Sequence, residues 1–306
     1  MKNESTPEDN RLTRFVFDEL PIRGLHVRLT EVWQHINSQK HYPLPIRTAL
    51  GELTAAAVLL AANLKFDGQL IVQVQGKGML KMLTAEATSD RTCRATARWD
   101  ENIRLPENAA LTDLLGEDGM FVLTLQPANG ESWQGIVPLA GGTVAQMLMN
   151  YLHQSEQLDS FIQLAADGQH LGGLLLQKMP DNSINAANAD NAWAEIRIPA
   201  QTLSRDELLN LDASTILYRL FHEIPPRVFP AQNIEFACTC SRSKVRDMLL
   251  LLGGEEVGEA VAEQGSVEIC CDFCHERYVF DENDINQLFG MDTAYYAALN
   301  KKTAEN

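Results

Sequence analysis

Five of the six cysteines of this 306-residue chain fall in two short stretches. The first, FACTCSRSKV, holds Cys238-Thr239-Cys240. The second, EICCDFCHERYVF, holds Cys271-Asp272-Phe273-Cys274, with Cys270 directly beside it. Paired thiolates from two separated turns suit tetrahedral zinc: two sulfurs make one knuckle, and two from a distant turn close the site. Thirty residues separate Cys240 from Cys271, room for a helix and a hairpin. An inert structural zinc ribbon is the ordinary use of such pairs, and that reading stays open. A C-x-C pair is less usual in a structural knuckle. Cysteines this close in sequence can also close small disulfides once the metal leaves, and such strained bridges are readily reduced again. In so small a segment metal binding is folding energy, so metal loss would melt about sixty residues.

The elements that must position these thiols are partly readable. Val245, Met248, Leu249 and Leu252 form an apolar stripe ended by Gly253-Gly254, which predicts a helix after the first knuckle. Its first turn, SRSKVR, would bring backbone N–H groups and Arg242, Lys244 and Arg246 close to Cys240, favouring thiolate over thiol. A hairpin is expected from about Val267 through the second knuckle to RYVF. Upstream, Ser204-Arg205-Asp206-Glu207 reads as a capping box. It opens two short helices carrying Leu208, Leu209, Leu211, Ile216, Leu217, Leu220, Phe221 and Ile224, stopped by Pro225-Pro226. Before them, DNSINAANADNA offers little to bury and reads as a loop or linker.

The first 180 residues read as one α+β domain. Expected elements are helices from about Leu25 to Ile36 and from about Pro45 to Leu64, and a hairpin around Gly76 and Gly78. A second hairpin turns at Asn129-Gly130, followed by a helix and a strand. A further strand holds Gly172 and Gly173, which suggest a bulge or close backbone approach. The division expected is 1–180 core domain, 181–231 linker with amphipathic helices, and 232–306 zinc domain. The fold class is α+β with a mixed sheet and helix core, a helical linker and a small four-cysteine domain.

The formal net charge of -16 argues against nucleic acid as the main ligand, because phosphate binding needs a basic footprint. The first residues lack the apolar run of a signal peptide, and the run Ala55 to Ala62 is too short to cross a bilayer, so a cytoplasmic protein is expected. In a reducing compartment, clustered cysteines are metal ligands or redox thiols more often than structural disulfides. No Walker spacing accompanies QGKGML, so no nucleotide is expected. A C-x-x-C oxidoreductase needs its pair at a helix N-terminus, whereas Cys271 and Cys274 adjoin a strand; an enzyme is not expected. His275 has no role in a site filled by four thiolates. His222 reads as a surface or interface residue, Cys93 as buried core, and Cys270 as a spectator thiol or a competitor for zinc or disulfide pairing.

CTCSRSKV, followed by CDFCHERYVF, resembles the zinc centre of the redox-regulated 33 kDa heat-shock chaperones, the 33 kDa chaperonin family. LGELTAAAVLLAANLKFDGQLIVQVQGKGML, WQGIVPLAGGTVAQMLMNYLHQSEQL and ILYRLFHEIPPRVF resemble further stretches of that family, and the likeness covers nearly the whole chain. The resemblance implies one zinc ion per reduced chain, held by Cys238, Cys240, Cys271 and Cys274. It implies disulfides Cys238–Cys240 and Cys271–Cys274 under oxidative stress, zinc release, and unfolding of the zinc domain and linker. It implies an ATP-independent holdase that dimerises when oxidised and binds unfolded or damaged client proteins, with no membrane partner. Cys270 departs from the family motif. On this reading the 204–224 helices pack on the core domain when folded. Released, they expose Leu208, Leu217, Leu220 and Phe221 as a client-binding patch. The competing expectation is a constitutive protein-interaction module with a purely structural zinc site, which oxidation would damage.

Overall fold

The computed structural model describes residues 9–179 and 186–290. The chain divides into two compact units, Met1–Ala237 and Cys238–Asn306. The first unit opens with the hairpin β1 (Arg11–Phe17) and β2 (Ile22–Leu29), then helices α1 (Glu31–Ser38) and α2 (Leu44–Asn63). Strands β3 (Gly68–Gln75), β4 (Leu80–Thr88) and β5 (Thr92–Trp99) follow, then the short α3 (Leu111–Leu115) and the hairpin β6 (Met120–Pro127) and β7 (Trp133–Pro138). Helix α4 (Val144–Glu156) leads to the hairpin β8 (Ser160–Ala166) and β9 (Leu171–Lys178). Helices α5 (Ala186–Ala200), α6 (Arg205–Asn210) and α7 (Ala213–Phe221) come next. The unit ends in three two-residue strands, β10 (Arg227–Val228), β11 (Gln232–Asn233) and β12 (Glu235–Phe236).

Two six-stranded sheets result. One runs β10-β1-β2-β9-β8, with β11 also on β1; the other runs β12-β5-β4-β3-β6-β7. Helix α2 lies between them, and its side chains join both sheets in one core with Val27, Leu29, Leu70, Val72, Leu83 and Leu175. Among the described residues α2 is the one helix long and apolar enough to cross a membrane, and it is 72% buried as the core helix of this unit. Pro45 sits in its first turn, where a missing N–H leaves no bond unmade.

The first sheet is apolar on both faces. Leu171 and Leu175 of β9 face α2, while Leu174 and Leu176 join Phe15, Phe17 and Ile22 beneath α5, α6 and α7. Gly172 is required there: a Cβ at this position would lie 2.4 Å from the Leu208 carbonyl oxygen, so the helix backbone rests directly on the strand. The capping box at α6 forms, with Ser204 and Glu207 each bonding the other's backbone N–H, and Asp212 caps α7.

Three expectations change. Residues from Leu25 to Leu29 are strand, because β2 pairs in full with β1 and β9; the helix starts only at Glu31. The Asn/Ala segment is helical from Ala186, where α5 begins; residues 180–185 lie outside the described residues. Past Gly253, whose φ of 99° ends the preceding helix, a further helix starts at once.

The second unit contains α8 (Arg242–Leu252), α9 (Gly254–Gln264), the hairpin β13 (Ser266–Cys270) and β14 (Arg277–Asp281), and α10 (Glu282–Phe289). Among its described residues the core is small: Leu249, Val257, Val261, Phe280 and Ile285 are the buried apolar side chains. Of the stripe expected on α8, Leu249 is buried and Val245 packs beside it, but Met248 and Leu252 are exposed. Val257 and Val261 of α9 share the cluster with Leu249.

Candidate metal centre

The two cysteine turns sit at the ends of regular elements. Cys238 and Cys240 immediately precede α8, whose first turn is capped by Ser241 Oγ accepting from the Lys244 N–H at 3.3 Å. Cys271 and Cys274 form the tip of the β13–β14 hairpin. There the Cys271 N–H donates to the Glu276 carbonyl at 3.0 Å, and the His275 N–H to the Cys271 carbonyl at 2.9 Å. His275 takes a left-handed φ of 57° to complete the turn, and its side chain is exposed.

The four sulfurs converge. Cys238, Cys240, Cys271 and Cys274 are half-buried, and their Sγ atoms all lie within 4.8 Å of one another. Cys238 Sγ is 3.7 Å from Cys271 Sγ, and Cys240 Sγ is 3.4 Å from Cys274 Sγ. Zinc–sulfur bonds of about 2.3 Å at tetrahedral angles place sulfurs about 3.8 Å apart, so the donor set fits a four-thiolate metal site. Burial pushes the Cys271 and Cys274 thiols up, and backbone N–H groups of Phe273 and Cys274 at Cys271, and of Glu276 at Cys274, oppose it. A divalent cation among the sulfurs reverses the balance, because a coordinating thiol is deprotonated outright.

Two of the three cations expected beside Cys240 are engaged elsewhere. Arg242 donates to the Val279 carbonyl and to Asp284, each at 2.7 Å, and its guanidinium lies 4.2 Å above the Phe280 ring. Arg246 pairs with Asp247 at 3.3 Å, and Lys244 is exposed. Carboxylates and a π-face within reach outcompete the sulfurs for the two guanidiniums. Tyr278, which no local spacing singles out, donates its hydroxyl to Cys240 Sγ at 3.1 Å. That bond is the first cause of a phenol pKa well above the ordinary tyrosine range. Cys270 stays outside the four, exposed, with Sγ donating to the His275 carbonyl at 3.5 Å. Cys93 is core in β5, its thiol pushed up to about 12 by burial.

In the first unit the four residues expected to hold clients are all covered. Leu208, Leu217, Leu220 and Phe221 share one cluster with Phe15, Phe17 and Ile22. Phe221 meets Phe17 edge to face at 5.2 Å between ring centroids. Arg28 Nε donates to the Leu209 carbonyl at 3.0 Å, and Arg205 and Gln163 donate to the Ala166 and Leu203 carbonyls. His26, neighbour to this interface, is almost fully buried and its pKa is pushed down to about 4 by that burial and by Arg28, against Asp212. His222 is exposed, beside the Tyr218 ring.

A family model described as "Hsp33 protein" matches residues 10–281. The chain belongs to the Hsp33 family. A 33 kDa chaperonin of Neisseria meningitidis serogroup B is 62% identical over 280 residues, covering 92% of this chain and 91% of that protein. One from Chromobacterium violaceum is 49% identical over 285 residues, covering 92% and 95%. The crystal structure of the 33 kDa chaperonin of Thermotoga maritima has the same fold, with a TM-score of 0.78 at 23% identity over 91% of this chain and 97% of that one. The Hsp33 assignment thus spans both units described above, and the α+β fold is that of the family.

Proposed function

We propose that this chain is a redox-regulated, ATP-independent holdase, inactive when reduced and zinc-bound and activated by disulfide formation. What supports it is the four-sulfur cluster within a unit in which five apolar side chains are buried among the described residues. Cys238, Cys240, Cys271 and Cys274 would hold one zinc ion. When bound, that ion supplies folding energy and keeps the sulfurs as thiolates. In each pair, Cys238–Cys240 and Cys271–Cys274, two thiolates pass two electrons to one hydrogen peroxide. With two protons this gives one disulfide and two waters. The donor set is then gone, and a core this small does not hold the unit folded.

The output is hydrophobic exposure. The organisation that follows is a core over 1–180, a metastable linker over 181–231 and a switch over 232–306. Release of α6 and α7 uncovers Leu208, Leu217, Leu220 and Phe221 for unfolded or oxidatively damaged clients. The oxidised protein dimerises, works in the reducing cytoplasm during oxidative or heat stress, and uses neither nucleotide nor membrane. It is not an enzyme.

The test is light scattering from a thermally aggregating client, with the protein added reduced and zinc-loaded or peroxide-treated. Suppression by the oxidised form alone, reversed by thiol reductant plus zinc, is expected. Equal suppression by both forms, or by neither, would sink the switch and leave a structural zinc site in an interaction module.

A further inference from the structure

One hydroxyl in the cysteine unit is placed on a sulfur. Tyr278 is second in β14, opposite Ile269 of β13, and its Oη donates to Cys240 Sγ at 3.1 Å. Its ring packs against the cluster of Leu249, Val257, Val261, Phe280 and Ile285. The side chain therefore reaches from the apolar core of the unit to the first knuckle, across 38 residues of sequence. Cys271 and Cys274 instead receive backbone N–H groups from their own turn, which no side-chain change removes. Of these contacts, the phenol on Cys240 is the one that a substitution can delete.

A proton shared with a sulfur draws electron density from the lone pair that attacks an oxidant, and partners of this kind tune ligands strongly. We propose that Tyr278 is a positioning residue that sets how readily Cys240 is oxidised, restraining the sulfur in the reduced state and releasing it on disulfide formation. This rests on reading the four cysteines as redox-active metal ligands. With hydrogen peroxide as oxidant, the Cys240 sulfur attacks one oxygen. The S–O bond forms, the O–O bond breaks, and hydroxide leaves and takes a proton. The Cys238 thiolate then attacks the Cys240 sulfur. The S–S bond forms, the S–O bond breaks, and a second water departs. Tyr278 keeps its proton throughout. A disulfide sulfur carries no charge and is a weak acceptor, so β14 loses its tie to the first knuckle in the same event.

The experiment compares the full chain with Tyr278→Phe, which keeps the ring and removes one oxygen. Both are loaded with zinc, assayed for metal content, and exposed to peroxide while free Cys240 is followed by alkylation and mass spectrometry. The variant should retain one zinc per chain and lose its Cys240 thiol about tenfold faster. Loaded with cobalt, it should show its sulfur-to-metal charge-transfer band at longer wavelength. A role in packing alone would not move that band. If Tyr278→Phe fails to hold metal, 3-fluorotyrosine at position 278, a stronger donor of nearly the same size, should slow oxidation and shift the band the other way. A zinc-loaded variant with unchanged band and unchanged Cys240 rate overturns the tyrosine assignment alone. A wild-type chain that binds no metal, or whose thiols ignore peroxide, overturns the redox reading beneath it as well.

Discussion

Replacing Phe17 by alanine should free α6 and α7 without touching a residue of the cysteine unit or of the helices themselves. Phe17 is 3% exposed, meets Phe221 at 5.2 Å and Phe15 at 6.0 Å, and belongs to the cluster beneath α5–α7 rather than to the α2 core. Phe→Ala in a packed interior costs about 3–5 kcal/mol, including the cavity left behind. That loss falls on the docked state, since the strand face is exposed either way once the helices leave. At about 1.4 kcal/mol per tenfold, even the lower figure raises the undocked population about a hundredfold. Hydrogen exchange of the reduced, zinc-loaded variant should show faster exchange of the 205–221 amides, with metal content unchanged. Light scattering should show suppression of client aggregation without oxidant. Faster exchange with no suppression would refute the assignment of clients to this apolar face. Unchanged exchange would refute the reasoning that Phe17 holds the helices down.

Gly172→Ala should act through the same interface from a different atom, because its Cβ would meet the Leu208 carbonyl at 2.4 Å; an overpacking cost of about 1–3 kcal/mol should show as a lower urea midpoint and faster exchange in α6. For acid sensitivity, His26 is neutral when folded, so its stabilising contribution is complete above its ordinary 6.5 and is lost as pH falls toward 4. Between pH 7 and pH 5 the wild type should lose about 2 kcal/mol relative to His26→Gln, read from paired urea titrations. Glu52 works oppositely: burial raises its carboxyl to about 7, so its contribution is present below 4.5 and is lost as pH rises through 7, and Glu52→Gln should relieve that alkaline loss. Zinc removal by chelator, or Cys238→Ser or Cys274→Ser, should abolish stoichiometric zinc and melt the second unit while exchange protection in β3, β4 and β9 persists. Tight stoichiometric zinc in either serine variant would count against the ligand set.

Sequence reading went furthest where chemistry or capping is local. The cysteine spacing put four thiols in two turns, and the fold brings those sulfurs together. Ser204-x-x-Glu207 located the start of α6, and the Ala/Leu run located α2 within a residue at each end. It failed where tertiary pairing decides. The segment Leu25–Leu29 supports a helical pattern or an alternating one, and it is strand because β1 and β9 flank it. The start of α5 was hidden by asparagines that favour turns, although its alanines favour helix. Helix α9 carries Gly254 and Gly258, which weaken any helical signal. The strands β10, β11 and β12 are two residues each, too short for a period to show. Tyr278 was illegible for another reason: a phenol on a sulfur 38 residues away is fixed by the hairpin register and the position of α8, neither of which is local.

If the second unit melts on oxidation as proposed, the small core among its described residues has a consequence for the chain as a polymer. Residues 238–290 carry eleven acidic and four basic side chains, a net charge of -7. Without the metal clamp such a segment has too little to bury and too much like charge to collapse. Its radius of gyration would grow from about 10 Å to about 22 Å on going from folded to random coil. The released segment is then a self-repelling polyanion tethered at Ala237, swept around whatever the first unit has captured. A client held on the exposed helix face would carry this charged brush with it. Its steric and electrostatic pressure would keep two loaded complexes from touching. On the proposed switch, the same fifty-odd residues would serve, once melted, as a colloidal stabiliser.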